Sequence, residues 1–327
     1  MTDFRFPLIG TRASRFPRCW LRASFAVVEE PPAPSQPPFR PRKGEAFYRH
    51  RLVTRLTHWI NAVLLLFLLM SGLQIFNAHP RLYWGEAGSD HDRPFIAMIS
   101  ERTPTGEVEG VTHIGRLTLR TTGILGVSDY DGRPLVRGFP GWATLPSWQD
   151  LASGRLWHFA LAWLFVVNGA LYLGFGLFSR HFTRDLALSR DELKPRHLWL
   201  DIREHLRFRS PRGEAARRYN PLQKIAYITT IFVLLPLMLL TGLTMSPGVN
   251  AAAPFLLDVF GGRQSARTLH FISAGLIVAF IVVHVGLVIW TGFFNNMRSM
   301  ITGWFVIQPA GSAAGPRLRR RKDGEAT

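Results

Sequence analysis

Cysteine is almost missing from this chain. Cys19 stands alone among 327 residues, which excludes an internal disulfide framework, an iron–sulfur cluster held by this chain alone and a CxxCH haem attachment. Carboxylates are scarce as well, 22 Asp and Glu against 39 Lys and Arg. The most telling absence is local. Four blocks, 56–76, 156–178, 225–246 and 268–294, contain no Asp, Glu, Lys or Arg. At about 1.5 Å per residue each can cross a hydrocarbon core of about 30 Å. That pattern excludes a soluble domain and describes an all-α integral membrane protein with four spans. Trp59, Trp157 and Trp290 stand near block ends, where interfacial aromatics belong.

The charge that is present is segregated. Residues 1–55 carry 11 Lys/Arg against 4 acids, 179–221 carry 11 against 6, and 293–327 carry 6 against 2. The long connection 77–156 carries 8 against 9. The positive-inside rule then puts both termini and the 179–221 loop in the cytoplasm, and 77–156 outside the inner membrane. A net charge of +17 distributed in this way faces anionic headgroups rather than nucleic acid.

Residues 1–46, with EEPPAPSQPPFRPRKGE, read as a disordered Pro-rich tail, and 309–327 as a basic tail. Between them lies one membrane domain, 47–308. Its outer connection, with HPRLYWGE (79–86), TTGILG (121–126), DYDGRP (129–134) and FPGWATLPSW (139–148), is far longer than an ordinary loop, and its aromatics and turn residues favour order. DYDG is too short for a calcium loop. His79, His91 and His113 match no metal spacing. Gly169, Gly174 and Gly176 would admit a neighbouring helix or a flat ligand. Pro236 should kink the third span. Leu198, Ile202 and Leu206 make an apolar stripe suited to an interfacial helix.

Within the four blocks the groups that titrate near neutral pH are His58, His158, His270 and His284. Ionisable residues inside a membrane are expensive and mark function by default. His270 and His284 are 14 residues apart, so they share a helix face about 21 Å from each other. Depth selects their partners. The first span runs inward to outward and the second and fourth run the opposite way, so His58 meets His284 and His158 meets His270. Zinc or copper would need further Cys, His or carboxylate ligands. A haem supplies its own four nitrogens and needs two axial ligands. One b-type haem per leaflet satisfies the pattern; hydrogen-bonded core histidines or a proton relay are the competing readings. Arg55, Arg155 and Arg267 each precede a histidine by three residues, one turn nearer water, where haem propionates need cations. The alternative is an ordinary interfacial arginine.

RLTHW (55–59), GRLWHF (154–159) and RTLHF…VVHV (267–285) together resemble the bacterial cytochrome b561 and nickel-hydrogenase cytochrome b superfamily, which includes formate dehydrogenase gamma and thiosulfate reductase cytochrome b subunits. The resemblance covers about 47–305. It implies a four-helix bundle with two haem b groups that passes electrons between a periplasmic redox partner and quinone. The long outer loop departs from a minimal member. With HPRLYWGE and GRQSAR (262–267) it looks like subunits that accompany a periplasmic molybdopterin oxidoreductase. A stand-alone superoxide:quinone oxidoreductase is the alternative, and a non-redox anchor or carrier a third. For quinone, Asn220 and Gln223 share a helical face at the inner end of the third span, beside Tyr219 and Lys224. Helix capping by Asn220 and anchoring by Tyr219 and Lys224 compete with that role and are favoured.

Overall fold

A computed structural model describes residues 46–89, 91–206 and 220–307. Residues 1–45 of the expected Pro-rich tail, the expected basic tail, and 207–219 of the basic loop, Tyr219 included, lie outside the described residues. Four helices are long and apolar enough to cross a membrane. They are α1 (Leu52–Phe76), α2 (Leu151–Phe178), the composite Pro221–Thr244 and α8 (Arg263–Trp290). Each begins four or five residues before the charge-free block that announced it. Arg55, Arg155, Lys224, Arg263 and Arg267 are good helix formers, so charge marks where lipid should end and not where the helix does.

Local chemistry sets the boundaries. Asp150 caps α2, its carboxylate accepting from the Ser153 N–H at 3.1 Å. The third span opens as α4 (Pro221–Thr229) on a capping box, with Pro221 in the first turn. It passes through a π-helical turn at Thr230–Leu234 and continues as α5 (Leu235–Thr244). Pro236 has no N–H to give to the preceding turn, so the irregularity falls just ahead of it. Short helices α6 (Pro247–Ala252) and α7 (Phe255–Val259) lead to α8. The expected interfacial helix is α3 (Pro195–Leu206). After α8 comes α9 (Phe293–Thr302), bracketed by the left-handed Gly292 and Gly303.

The bundle is two helix pairs. α1 packs on α2, and α5 packs on α8. Asn168 of α2 ties the first pair, donating to the Thr57 carbonyl at 2.9 Å and to Asn61 Oδ1 at 2.7 Å. Much of the apolar surface of the spans, including Leu66, Trp163, Leu171 and Val282, is exposed on the protein, as lipid-facing positions are.

The all-α expectation needs correction. Residues 77–150 form a β module. β2 (Arg81–Leu82), β3 (Ile96–Arg102), β4 (Val108–Ile114) and β5 (Leu117–Arg120) make an antiparallel sheet in that order, and β6 (Gly126–Tyr130) pairs with β7 (Arg133–Arg137). DYDGRP is the β6–β7 hairpin turn: Asp131 and Gly132 both take positive φ, 57° and 76°, between the paired Tyr130 and Arg133. That geometry suits the right-handed twist of the two strands. A further ribbon joins the two ends of the domain, β1 (Ala46–Tyr48) against β8 (Trp304–Val306).

The module sits on the ends of α1 and α8. Phe76, Leu82 and Met98 form its buried core with Ile96, Leu125, Phe139 and Phe271 against them. Arg137 is buried and donates to the Ser147 carbonyl at 2.9 Å, Thr144 Oγ1 at 3.0 Å and Gln74 Oε1 at 3.4 Å of α1. Removing its charged end would strand those acceptors.

Candidate functional site

The four histidines form two facing pairs between the helix pairs. His58 of α1 faces His284 of α8 with ring centroids 6.3 Å apart and planes at 54°. His158 of α2 faces His270, also of α8, at 6.3 Å and 67°. A direct ring-to-ring hydrogen bond of about 3 Å would bring the centroids to about 5.2 Å. Two metal–nitrogen bonds of about 2 Å, with about 1.1 Å from each nitrogen to its centroid, give about 6.2 Å. The spacing therefore fits two imidazoles on opposite sides of one metal. Among the described residues no cluster of three or more His, Cys, Asp or Glu could complete an all-protein site. A metal that brings its own equatorial donors, as haem iron does, fits this donor set.

Hydrogen bonding aims the His158/His270 pair. His270 Nδ1 lies 3.1 Å from the Met238 carbonyl and 3.1 Å from Thr241 Oγ1. The Thr241 hydroxyl already donates to the Leu237 carbonyl at 2.6 Å, so toward His270 it can only accept. The proton must then be on Nδ1, which leaves the Nε2 lone pair for a metal. His158 repeats the arrangement. Its Nδ1 meets Ser71 Oγ at 3.1 Å and the Leu68 carbonyl, and Ser71 donates to the Phe67 carbonyl at 2.7 Å.

The adjacent glycines make room for these rings. A Cβ on Gly72 would lie 3.3 Å from His158 Cε1, and one on Gly242 would lie 3.3 Å from His270 Cε1. Ser71, Gly72, Thr241 and Gly242 escape a search for ionisable groups. The available signal was a repeat, LMSGL (69–73) and LLTGL (239–243), one copy in each helix pair.

The His58/His284 pair is held differently. His58 Nδ1 is buried with no hydrogen-bond partner among the described residues, and Trp59 meets its ring edge-on at 5.4 Å. His284 stacks on Phe280 at 5.7 Å and meets Tyr227 at 6.3 Å. Packing rather than hydrogen bonding orients these rings.

The other sequence candidates are less uniform. Arg55 donates through Nη1 to the Ile301 carbonyl, and its Nε is buried without a hydrogen-bond partner among the described residues. Arg155 lies 5.7 Å above the Phe159 ring. Arg267 donates to the His79 carbonyl at 2.5 Å and lies 5.7 Å above Phe76. Asn220 and Gln223 are engaged in the box that caps α4: Asn220 Oδ1 accepts from the Leu222 N–H at 3.0 Å and Gln223 Oε1 from the Asn220 N–H at 3.4 Å. Lys224 pairs with Glu192 at 2.8 Å. Gly176 abuts the Phe182 ring, while a Cβ on Gly169 or Gly174 would meet nothing within 4 Å. His113 bonds Thr118 at 2.9 Å and Glu101 at 3.1 Å.

HPRLYWGE and GRQSAR, far apart in sequence, meet at the start of α8. Gly85 donates to Ser265 Oγ at 2.7 Å and accepts from the N–H groups of Gln264 and Ser265 at 3.0 and 3.1 Å. Thr268 donates to the Tyr83 carbonyl at 2.6 Å. Gly262, at φ 102°, presses on the Gly85–Glu86 backbone where a Cβ could not fit. His270 follows Thr268 by two residues on α8, so the β module is latched directly to the helix that carries it.

A family model described as prokaryotic cytochrome b561 matches residues 49–303. A relative from Azospira oryzae that bears the name of a protein-methionine-sulfoxide reductase subunit, YedZ1, is 34% identical over 160 residues, covering 49% of this chain and 76% of the relative. No solved structure matches.

Proposed function

This chain belongs to the prokaryotic cytochrome b561 family, and from that premise we propose that it is the di-haem membrane subunit linking a periplasmic, molybdopterin-dependent oxidoreductase to the quinone pool. Membership makes it a membrane electron-transfer protein that binds haem b. The observation that carries the finer reading is the pair of facing imidazoles at two depths, each at 6.3 Å. In this reading His158 and His270 hold one haem toward the periplasm, and His58 and His284 hold the other toward the cytoplasm. Haem iron supplies one-electron chemistry; the chain supplies axial donors, spacing and electrostatics.

The residues around the pairs have separate tasks. Ser71, Thr241 and the Leu68 and Met238 carbonyls hold the Nδ1 protons and make the imidazoles better donors. Arg55, Arg155 and Arg267 put cations beside the pairs for propionate carboxylates; Arg267 does so while anchored to the β module. That module, latched to α8, is the surface offered to the periplasmic partner. The name of the Azospira relative fits such a subunit role.

Quinone exchange belongs at the His58/His284 level. A headgroup there would compete with the α4 capping box for Asn220 and Gln223. The test uses the full chain loaded with haem, in nanodiscs. Quinol analogues should reduce the pigment and quinones reoxidise it, with Asn220→Ala slowing reoxidation if that side chain also meets quinone. No exchange with any quinone, or rapid partner-free oxidation of superoxide, would replace this reading with another.

A further inference from the structure

The segment between β7 and α2 differs from the rest of the β module. Residues 138–149, GFPGWATLPSWQ, contain no Asp, Glu, Lys or Arg. They bond the last two turns of α1 in a graded order. Asn77 Nδ2 donates to the Phe139 carbonyl at 3.1 Å, and Gln149 Nε2 donates to the Asn77 carbonyl at 3.4 Å. Gln74 Nε2 donates to the Trp148 carbonyl at 2.8 Å. The Leu145 N–H reaches the Met70 carbonyl at 3.1 Å. The segment thus runs along α1 from Asn77 to Met70 and back, a dip of about 10 Å at about 1.5 Å per residue. Met70 belongs to the charge-free block 56–76, so the lowest point is level with the apolar span.

Met70, Gln74 and Asn77 form one stripe of α1. Gly72, which abuts the His158 ring, is about 200° around the helix from Met70. The dip therefore lies on the face turned away from the histidines. Further along the same stripe Leu66 and Val63 are more than half exposed, as lipid-facing positions are. Irregular backbone at membrane depth needs its polar groups satisfied by protein, and this segment meets that demand. The buried Arg137 donates to the Ser147 carbonyl at 2.9 Å. The Pro140 and Gly141 carbonyls accept from the N–H groups of Ala143 and Thr144, and Pro140 and Pro146 have no N–H to satisfy. Outward the segment shows aromatic surface: Trp142 is 78% exposed and Trp148 56%. Trp148 turns its indole toward the Asp150 carboxylate, and a bare ring held beside a charge suits the headgroup boundary.

We infer that residues 138–149 enter the leaflet on the β-module side, with Trp142 and Trp148 anchoring the module to lipid. A soluble partner would have to displace lipid to reach the Met70 level, whereas the bilayer already covers the adjoining stripe. The inference rests on the four spans and stands whatever the number of haems.

The experiment uses the full haem-loaded chain in vesicles of phosphatidylcholine and phosphatidylglycerol. In a Cys19→Ser background, Trp142→Cys, Ile124→Cys on the β module and Leu171→Cys on α2 are treated with a water-soluble maleimide. Only a thiolate reacts and lipid disfavours it, so Trp142→Cys should label at least about tenfold more slowly than Ile124→Cys and resemble Leu171→Cys. In the unsubstituted chain, phosphatidylcholine with a photoreactive diazirine in one acyl chain should leave lipid adducts on residues 138–149 and on α2, but not on 117–124. Labelling of Trp142→Cys as fast as of Ile124→Cys would overturn the inference and leave the two tryptophans open to a soluble protein. Adducts on the spans with none on 138–149 would overturn it as well.

Discussion

Replacing Thr241 with valine isolates one atom of the His158/His270 site. Thr241 is fully buried, and valine keeps its branched shape, so α5 should fold and pack as before. What is lost is the hydroxyl that accepts from His270 Nδ1 at 3.1 Å. The Met238 carbonyl, also at 3.1 Å, still holds the proton, so the imidazole keeps its tautomer but loses half its support. A neutral hydrogen bond contributes about 0.5–1.5 kcal/mol, and removing a partner of a metal-bound histidine costs about 10–100-fold in affinity. With one acceptor remaining, the expected loss is near the lower end, about tenfold or 1.4 kcal/mol. Transfer of haem to a scavenging protein should accelerate by that factor for one of two kinetic components. The reduction potential of that component should rise, because a less electron-rich imidazole stabilises ferric iron less. Ser71→Ala should act on the same component through His158. If both variants release pigment at the wild-type rate, or change both components equally, the hydroxyls do not orient these ligands.

Gly72→Ala would put a methyl group 3.3 Å from His158 Cε1, against a ring already pinned by Ser71. Haem loss from that level should quicken several-fold, whereas Gly169→Ala, with no neighbour within 4 Å, should match wild type in the same transfer assay. Glu192 supplies a pH test. Its hydrogen bond from Lys224, first among several, lowers its pKa from the usual 4.5. A lowered folded-state pKa means stability that is present above the unfolded value and lost as pH falls through the folded one. The thermal midpoint should decline as acidification passes below about 4.5, and Lys224→Met should flatten that decline; an unchanged slope would show the pair contributes nothing.

How much of this was legible beforehand differs by element. Long charge-free runs must be helical in lipid, because every backbone group must be satisfied within the segment; four spans followed directly. Helix periodicity and depth gave the histidine partners, since 14 residues return nearly to the same face. The β module was not legible in the same way. Strands such as IAMISER and VEGVTHI (96–102 and 108–114) are short, only weakly alternating, and owe their pairing to each other and to the helix ends beneath them. The DYDG turn was visible, but not the sheet around it. Ser71 and Thr241 were hidden for another reason. A hydroxyl in a span usually returns its proton to its own helix, and only the packing of α1 on α2 and α5 on α8 shows that its lone pair serves a histidine on the neighbour. The capping box at Asn220 and Gln223 was readable as either a helix start or a ligand contact, and local geometry realises the helix start.

The most direct measurement is haem stoichiometry with its optical spectrum, on the purified full chain and on His270→Ala and His284→Ala. Two haem b per polypeptide, both low-spin with two histidine ligands, are predicted, each substitution removing or converting a different one. A single haem per chain, or two that survive both substitutions unchanged, would contradict the account.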